Sequence, residues 1–175
     1  MNNESTWADN TNPHWRVSKF RTSRIGGVAE VRNSSAEGKA ELDSHADTCV
    51  VSEHLALVVQ DFMRPVKVHA YDGSAGENGQ LCKTVSAVVA YDHPASGITY
   101  YLLIHQCICV TQLDEILLCP NQMRDNGIKV NDEPKYLTSQ PTDQHHAITI
   151  PASDIHEELV IPLTLTGVTS YFPVR

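Results

Sequence analysis

The sequence predicts a mainly β domain, an antiparallel barrel or sandwich with one or two short helices. Short apolar runs alternating with a period of two recur along the chain, Gly/Pro/Asn/Asp/Ser clusters separate them, and only two brief stretches read as helix. A length of 175 residues fits one domain with tails, and 41% apolar with 19% charged residues is ordinary for a folded chain.

Residues 1–24 are polar and aperiodic, which reads as a flexible N-terminal arm with Trp7 and Trp15 as its docking points. Residues 25–134 form the expected core. Val28–Val31 and Lys39–Leu42 read as the strands of a hairpin, with turn chemistry from Asn33 to Gly38 between them. The second strand runs directly into Asp43. Beyond Cys49-Val50-Val51, Ser52 is placed to cap a short helix through Glu53–Ala56. Pro65–Tyr71 alternates like a strand, and Asp72–Gly79, with three glycines, must turn. Strands are expected over Leu81–Tyr91 and, after a reversal at His93–Gly97, over Ile98–Val110. Glu115–Leu118 is a brief apolar strand. Pro120 suits the first position of a helix through Asn126 that Gly127 ends. Residues 135–146 read as a polar linker, and 147–175 as a C-terminal β segment with strands at Ala147–Ile150 and Leu159–Val168.

Charge and composition exclude several classes. A net charge of −8 leaves no basic face for nucleic acid. No apolar run approaches the ~20 residues of a membrane span, and the polar N-terminus does not read as a secretory signal. The five cysteines follow no C-x-x-C spacing, so reduced, buried thiols in a cytoplasmic setting are expected. His145-His146 lacks partners at metal-ligand spacing, and neither a metal nor an organic cofactor is expected.

The chemistry concentrates at Glu41-Leu42-Asp43-Ser44-His45-Ala46-Asp47-Thr48. An apolar strand delivers the Asp43 carboxylate to a tight loop, where hydroxyls and amides can hydrogen-bond it. Two such carboxylates brought face to face cannot both ionise, so one acts as base on water while the other polarises a carbonyl. Only one such segment exists in the chain, so a working pair demands a second copy related by a two-fold axis.

LDSHADTCVVSEHLA resembles the retropepsin pattern, in which an apolar strand leads into Asp-Ser/Thr-Gly-Ala and a hydroxyl residue, followed by a short helix. Ile116–Gly127 resembles the family's second hallmark, an apolar pair, a glycine and a helix. The glycine-rich stretch Tyr71–Gly79 lies between them, where the family has its flap. The likeness extends over about residues 25–172 and is nearest to the protease region of copia-type retrotransposon polyproteins.

The resemblance implies a retropepsin-like acid-protease barrel with half a site per chain, a homodimer, and a peptide or polyprotein substrate. It implies Asp43 as the catalytic residue, with Ser44, His45, Ala46 and Thr48 supporting the loop. Tyr71, Gly73 and Gly76 would meet substrate as flap residues, although Tyr71 also suits a strand-end aromatic packed on the barrel. Asp47 either contacts the substrate backbone or closes the loop on a cation. The sequence departs from the pattern at His45 and Cys119, both glycine in the family. These positions lie near each other in the family fold, so the two residues are expected to have changed together. A non-catalytic remnant serving as a dimerisation or peptide-binding module is the alternative. Tyr171-Phe172-Pro173 resembles an aromatic–proline junction that such enzymes cut, making Phe172–Pro173 a candidate self-processing site.

Overall fold

The computed structural model describes residues 20–23, 38–69, 79–111, 113–153 and 157–175. Strand accounts for 52% of it and helix for 7%, so the chain is mainly β. The strands are β1 (Phe20–Ser23), β2 (Gly38–Leu42), β3 (Val50–Ser52), β4 (Leu57–Asp61), β5 (Val66–Val68), β6 (Gln80–Asp92), β7 (Thr99–Val110), β8 (Ile116–Leu118), β9 (Lys129–Asn131), β10 (Ala147–Ile150), β11 (Leu159–Pro162), β12 (Thr164–Thr166) and β13 (Thr169–Val174). One α-helix, α1 (Pro120–Asp125), follows β8.

Ten strands form one sheet in the order β12-β13-β2-β8-β3-β7-β6-β4, with β1 added to β7 and β5 to β6. The long β6–β7 hairpin is its frame. Each of these strands is longer than any single strand on its outer edge, so that edge takes several short partners in turn. On β7 these are β3 at Ile108–Val110 and β1 at Tyr101–Ile104. On β6 they are β5 at Gln80–Cys82 and β4 at Val85–Val88. Beyond β4, the backbones of Ala90 and Arg175 exchange two hydrogen bonds of 3.0 Å, bringing the C-terminus back onto β6. That single bridge does not extend into a ladder. The sheet curls but stays open, which corrects the expected closed barrel.

Several local expectations also change. Residues 20–23, assigned to the arm, pair as a strand with β7 and satisfy an edge that β3 is too short to cover. Val28–Val31, the first strand of the expected hairpin, lies outside the described residues; β2 itself pairs with β13 on one edge and, from Ala40 to Leu42, with β8 on the other. After β3 the chain makes one turn and no helix. Ser52 caps that turn, its Oγ accepting from His54 N at 3.2 Å and its carbonyl from Ala56 N at 3.0 Å. The β-branched pair Val58-Val59 then favours the extended backbone of β4.

The core lies on one face of the curled sheet and is closed by the three-stranded sheet β11-β10-β9 and by α1. Alternation is clean where one face is solvated. In β13, Ser170, Phe172 and Val174 are buried while the residues between them are not. All four residues of β10, the central strand of the small sheet, are buried. Residues 135–146 form a connection between β9 and β10 that contains a short 3-10 helix, Lys135–Leu137. The C-terminal segment is built into the main sheet, because β13 pairs with β2. All five cysteines are buried. Burial pushes the Cys107 thiol well above its ordinary value, and burial followed by the nearby Glu53 carboxylate raises Cys109 to about 11. Such thiols are poor nucleophiles. Among the described residues, no helix is long and apolar enough to cross a membrane.

A buried polar tie joins the two sheets. His146 Nε2 is hydrogen-bonded to Ser170 Oγ at 2.9 Å, and both residues are buried. Burial first, and then the Lys135 charge, lowers the imidazole below the usual histidine range, against a weaker opposing pull from Asp132. The unfolded chain therefore binds this proton more readily than the folded one. The stabilisation is present above the ordinary histidine value and is lost as pH falls through the folded one. Stability to urea is expected to drop as pH falls below the ordinary histidine value, less so in His146→Gln. Ser170→Ala is expected to cost about 1–2 kcal/mol at neutral pH, because it leaves a buried ring nitrogen without its partner.

Candidate functional site

β8 lies between β2 and β3, parallel to the first and antiparallel to the second. The chain leaving β2 must therefore arch over the C-terminal end of β8 to enter β3. That arch is residues 43–49, and Asp43 is its first residue. Its backbone N donates to Leu118 O at 2.9 Å, continuing the β2–β8 ladder by one step. The loop then turns, with Ala46 N donating to Asp43 O at 3.3 Å. Asp43 Oδ1 accepts from His45 N at 2.9 Å, and the carboxylate is 34% exposed. An acid held by a backbone amide and open to solvent on one side can exchange protons with water and can meet a second molecule.

The remaining loop residues divide into an outer and an inner set. Ser44, His45 and Asp47 are exposed, and Ala46 packs partly against the core. The described hydrogen bond to the carboxylate comes from the His45 amide. The His45 imidazole is 96% exposed, with Nδ1 3.9 Å from Asp43 Oδ1, the outer limit of an ion pair. Thr48 and Cys49 turn inward and are buried.

Cys119 is buried too, and it is the N-cap of α1. Its Sγ accepts from Gln122 N at 3.4 Å, while its own N donates to Cys49 Sγ at 3.4 Å. His45 and Cys119 thus occupy different surroundings, one in solvent and the other in the interior.

Sequence reasoning missed Gln122. This side chain, 5% exposed, accepts from Cys49 N through Oε1 at 2.9 Å and donates from Nε2 to Thr48 Oγ1 at 3.3 Å. No local signal marks it: α1 reads Pro-Asn-Gln-Met-Arg-Asp, and only its burial beside Pro120 and Met123 sets Gln122 apart from the other polar residues.

Glu41 lies two residues before Asp43 on the same face of β2. Burial raises its carboxyl above the usual range, and so does the adjacent Glu115 carboxylate, which hydrogen-bonds with it; Lys39 opposes both. Among the described residues, no group of three or more His, Cys, Asp or Glu is placed to hold a metal ion.

The glycine-rich segment connects β5 to β6, which pair in antiparallel fashion from Val66↔Cys82 to Val68↔Gln80. Tyr71, Gly73 and Gly76 lie outside the described residues. Gly79, where the hairpin re-enters β6, has φ +66°, and a Cβ there would stand 2.8 Å from Val68 O. No other residue fits that position without strain. Phe172–Pro173 sits within β13, opposite Ala40 and Lys39 of β2, and Phe172 is buried. A protease cleft needs an extended, accessible segment, so this bond is protected while the chain is folded. The chain matches no protein-family model, no curated protein and no solved structure.

Proposed function

We propose that the chain is an aspartic endopeptidase of retropepsin type that acts as a homodimer on peptide segments of a polyprotein. The reading rests on the position of Asp43. It is a partly exposed carboxylate at the end of β2, on a loop that arches over the β8–α1 junction and is tied to that junction from beneath.

Each copy supplies one carboxylate. Two Asp43 side chains meeting across a two-fold axis share a proton, because like charges at that separation do not both persist. The ionised member takes a proton from a water molecule, whose oxygen attacks the scissile carbonyl carbon. The protonated member donates to the carbonyl oxygen as the tetrahedral species forms. Collapse of that species breaks the C–N bond, with a proton passing to the leaving nitrogen. The segment between β5 and β6 would meet the substrate through Tyr71, Gly73 and Gly76.

The test is the dependence of specific activity on protein concentration. With casein as substrate between about pH 4 and about pH 7, specific activity is expected to rise steeply as the chain passes from monomer to dimer. A dimer that cleaves nothing would favour a non-catalytic dimerisation module, and an inactive monomer a peptide-binding one.

A further inference from the structure

The Asp43 loop is attached differently at its two ends. At the start, the ladder between β2 and β8 carries on to Asp43 N. At the far end, the amide of Cys49 has a side chain for its acceptor, Gln122 Oε1, although 73 residues separate the two in sequence. The other end of the same carboxamide reaches Thr48 Oγ1.

Gln122 is itself held in place. Its N donates to Cys119 Sγ at 3.4 Å, and its carbonyl accepts from Asn126 Nδ2 at 2.7 Å. Since Cys119 N donates to Cys49 Sγ, hydrogen bonds run in a closed circuit from Cys49 to Gln122, to Cys119 and back to Cys49. The orientation of the amide follows from its partner. Cys49 N–H is a donor only, so the oxygen must face it and the NH2 must face Thr48. An apolar side chain of the same size would fill the space and leave a buried amide without an acceptor.

We propose that Gln122 is the positioning residue of the Asp43 site. Its carboxamide fixes the height of residues 43–49 over the end of β8, and hence the direction in which the Asp43 carboxylate points. This deepens the aspartic-peptidase reading and rests on it. Gln122 acts only through Thr48 and Cys49 and touches no reacting atom. The circuit also gives Cys119 a purpose where the resembling family has glycine, since its thiol caps α1 and its amide holds Cys49.

The experiment compares the full chain with Gln122→Leu and Gln122→Glu by amide hydrogen exchange and by casein hydrolysis. In Gln122→Leu, exchange at residues 44–49 is expected to quicken about tenfold or more while amides in the β6–β7 hairpin keep their rates. Gln122→Glu retains an acceptor for Cys49 N–H and is expected to restore slow exchange there. On casein, the leucine variant is expected to lose about tenfold in kcat with KM held within about twofold, because substrate still binds while the carboxylate is misdirected.

Unchanged exchange at 44–49 in the leucine variant overturns the proposal, as does a glutamate variant that exchanges as fast as the leucine one. Faster exchange with wild-type kcat overturns it too. If the leucine variant does not fold, Thr48→Val removes the Nε2 contact alone, and exchange at 44–48 no faster than wild type then counts against the proposal. A wild-type chain as inactive as Asp43→Asn sinks the peptidase reading instead, and the exchange measurements alone then decide whether Gln122 fixes the loop.

Discussion

Asp43→Asn is expected to lower casein hydrolysis by about a thousandfold or more while leaving the fold intact. The two parts of that expectation have separate causes. Asparagine matches aspartate in shape, and its Oδ1 can still accept from His45 N. The backbone bond to Leu118 O does not involve the side chain at all. Melting temperature should therefore stay within about 3 °C of wild type.

The chemistry has no such reserve. In a homodimer the substitution removes both carboxylates at once, and an amide can neither take a proton from water nor share one with its twin. A variant keeping a tenth or more of the wild-type rate would place the hydrolytic group elsewhere. The near neighbours are poor substitutes. The His45 imidazole is almost wholly in solvent. Glu41 hydrogen-bonds with Glu115, and its raised carboxyl reflects its own burial first and then that neighbour.

How much of this was legible beforehand depended on the range of the interaction. The long hairpin, the strand before the α1 junction and the helix itself follow from local signals. Period-two alternation marks β6 and β7, and Pro120 and Gly127 bracket α1. The Asp43 loop was equally visible, because an apolar strand running into Asp-Ser is a local pattern.

The misses were non-local. Lys129–Asn131 has three residues and no distinctive composition, and it becomes β9 only because β10 offers an edge to it. β4 was overlooked because Leu57-Val58-Val59 follows a turn that reads as helix. The pairing of β2 with β13 joins segments more than a hundred residues apart in sequence, so no hairpin rule could have found it. Gln122 is the sharpest case. Its carboxamide has meaning only beside Thr48 and Cys49, and nothing near it in sequence announces them. Closure was over-read for a related reason. Alternation sets which face of a strand is buried, but it does not say whether the last strand reaches the first.

Phe172→Ala is expected to carry the largest stability cost, about 3–5 kcal/mol, in line with the loss of a large ring from a closed core. Phe172 is 1% exposed on β13, and its ring meets that of Tyr91 edge-on, with centroids 5.4 Å apart and planes at 84°. Tyr91 is equally buried, and its hydroxyl has no hydrogen-bond partner in the described structure. Packing alone holds that ring, and alanine at 172 would open a cavity directly against it.

The loss would extend beyond the cavity. Phe172 pairs with Ala40 on β2, so it locks the C-terminal segment to the strand that delivers Asp43. Domains of this size are stable by only about 5–15 kcal/mol, so a substitution far from the site should remove a large share of the folded population near body temperature. Urea unfolding should show a lower midpoint with an unchanged slope, and peptide hydrolysis should decline in step with the folded fraction. Pro173→Ala is the control: that side chain is exposed, and it should shift stability by under about 0.5 kcal/mol. If Phe172→Ala cost less than about 1 kcal/mol, residues 147–175 would be an appendage to the core. The pairing of β13 with β2 argues the opposite, that the strand leading into Asp43 is held by β13.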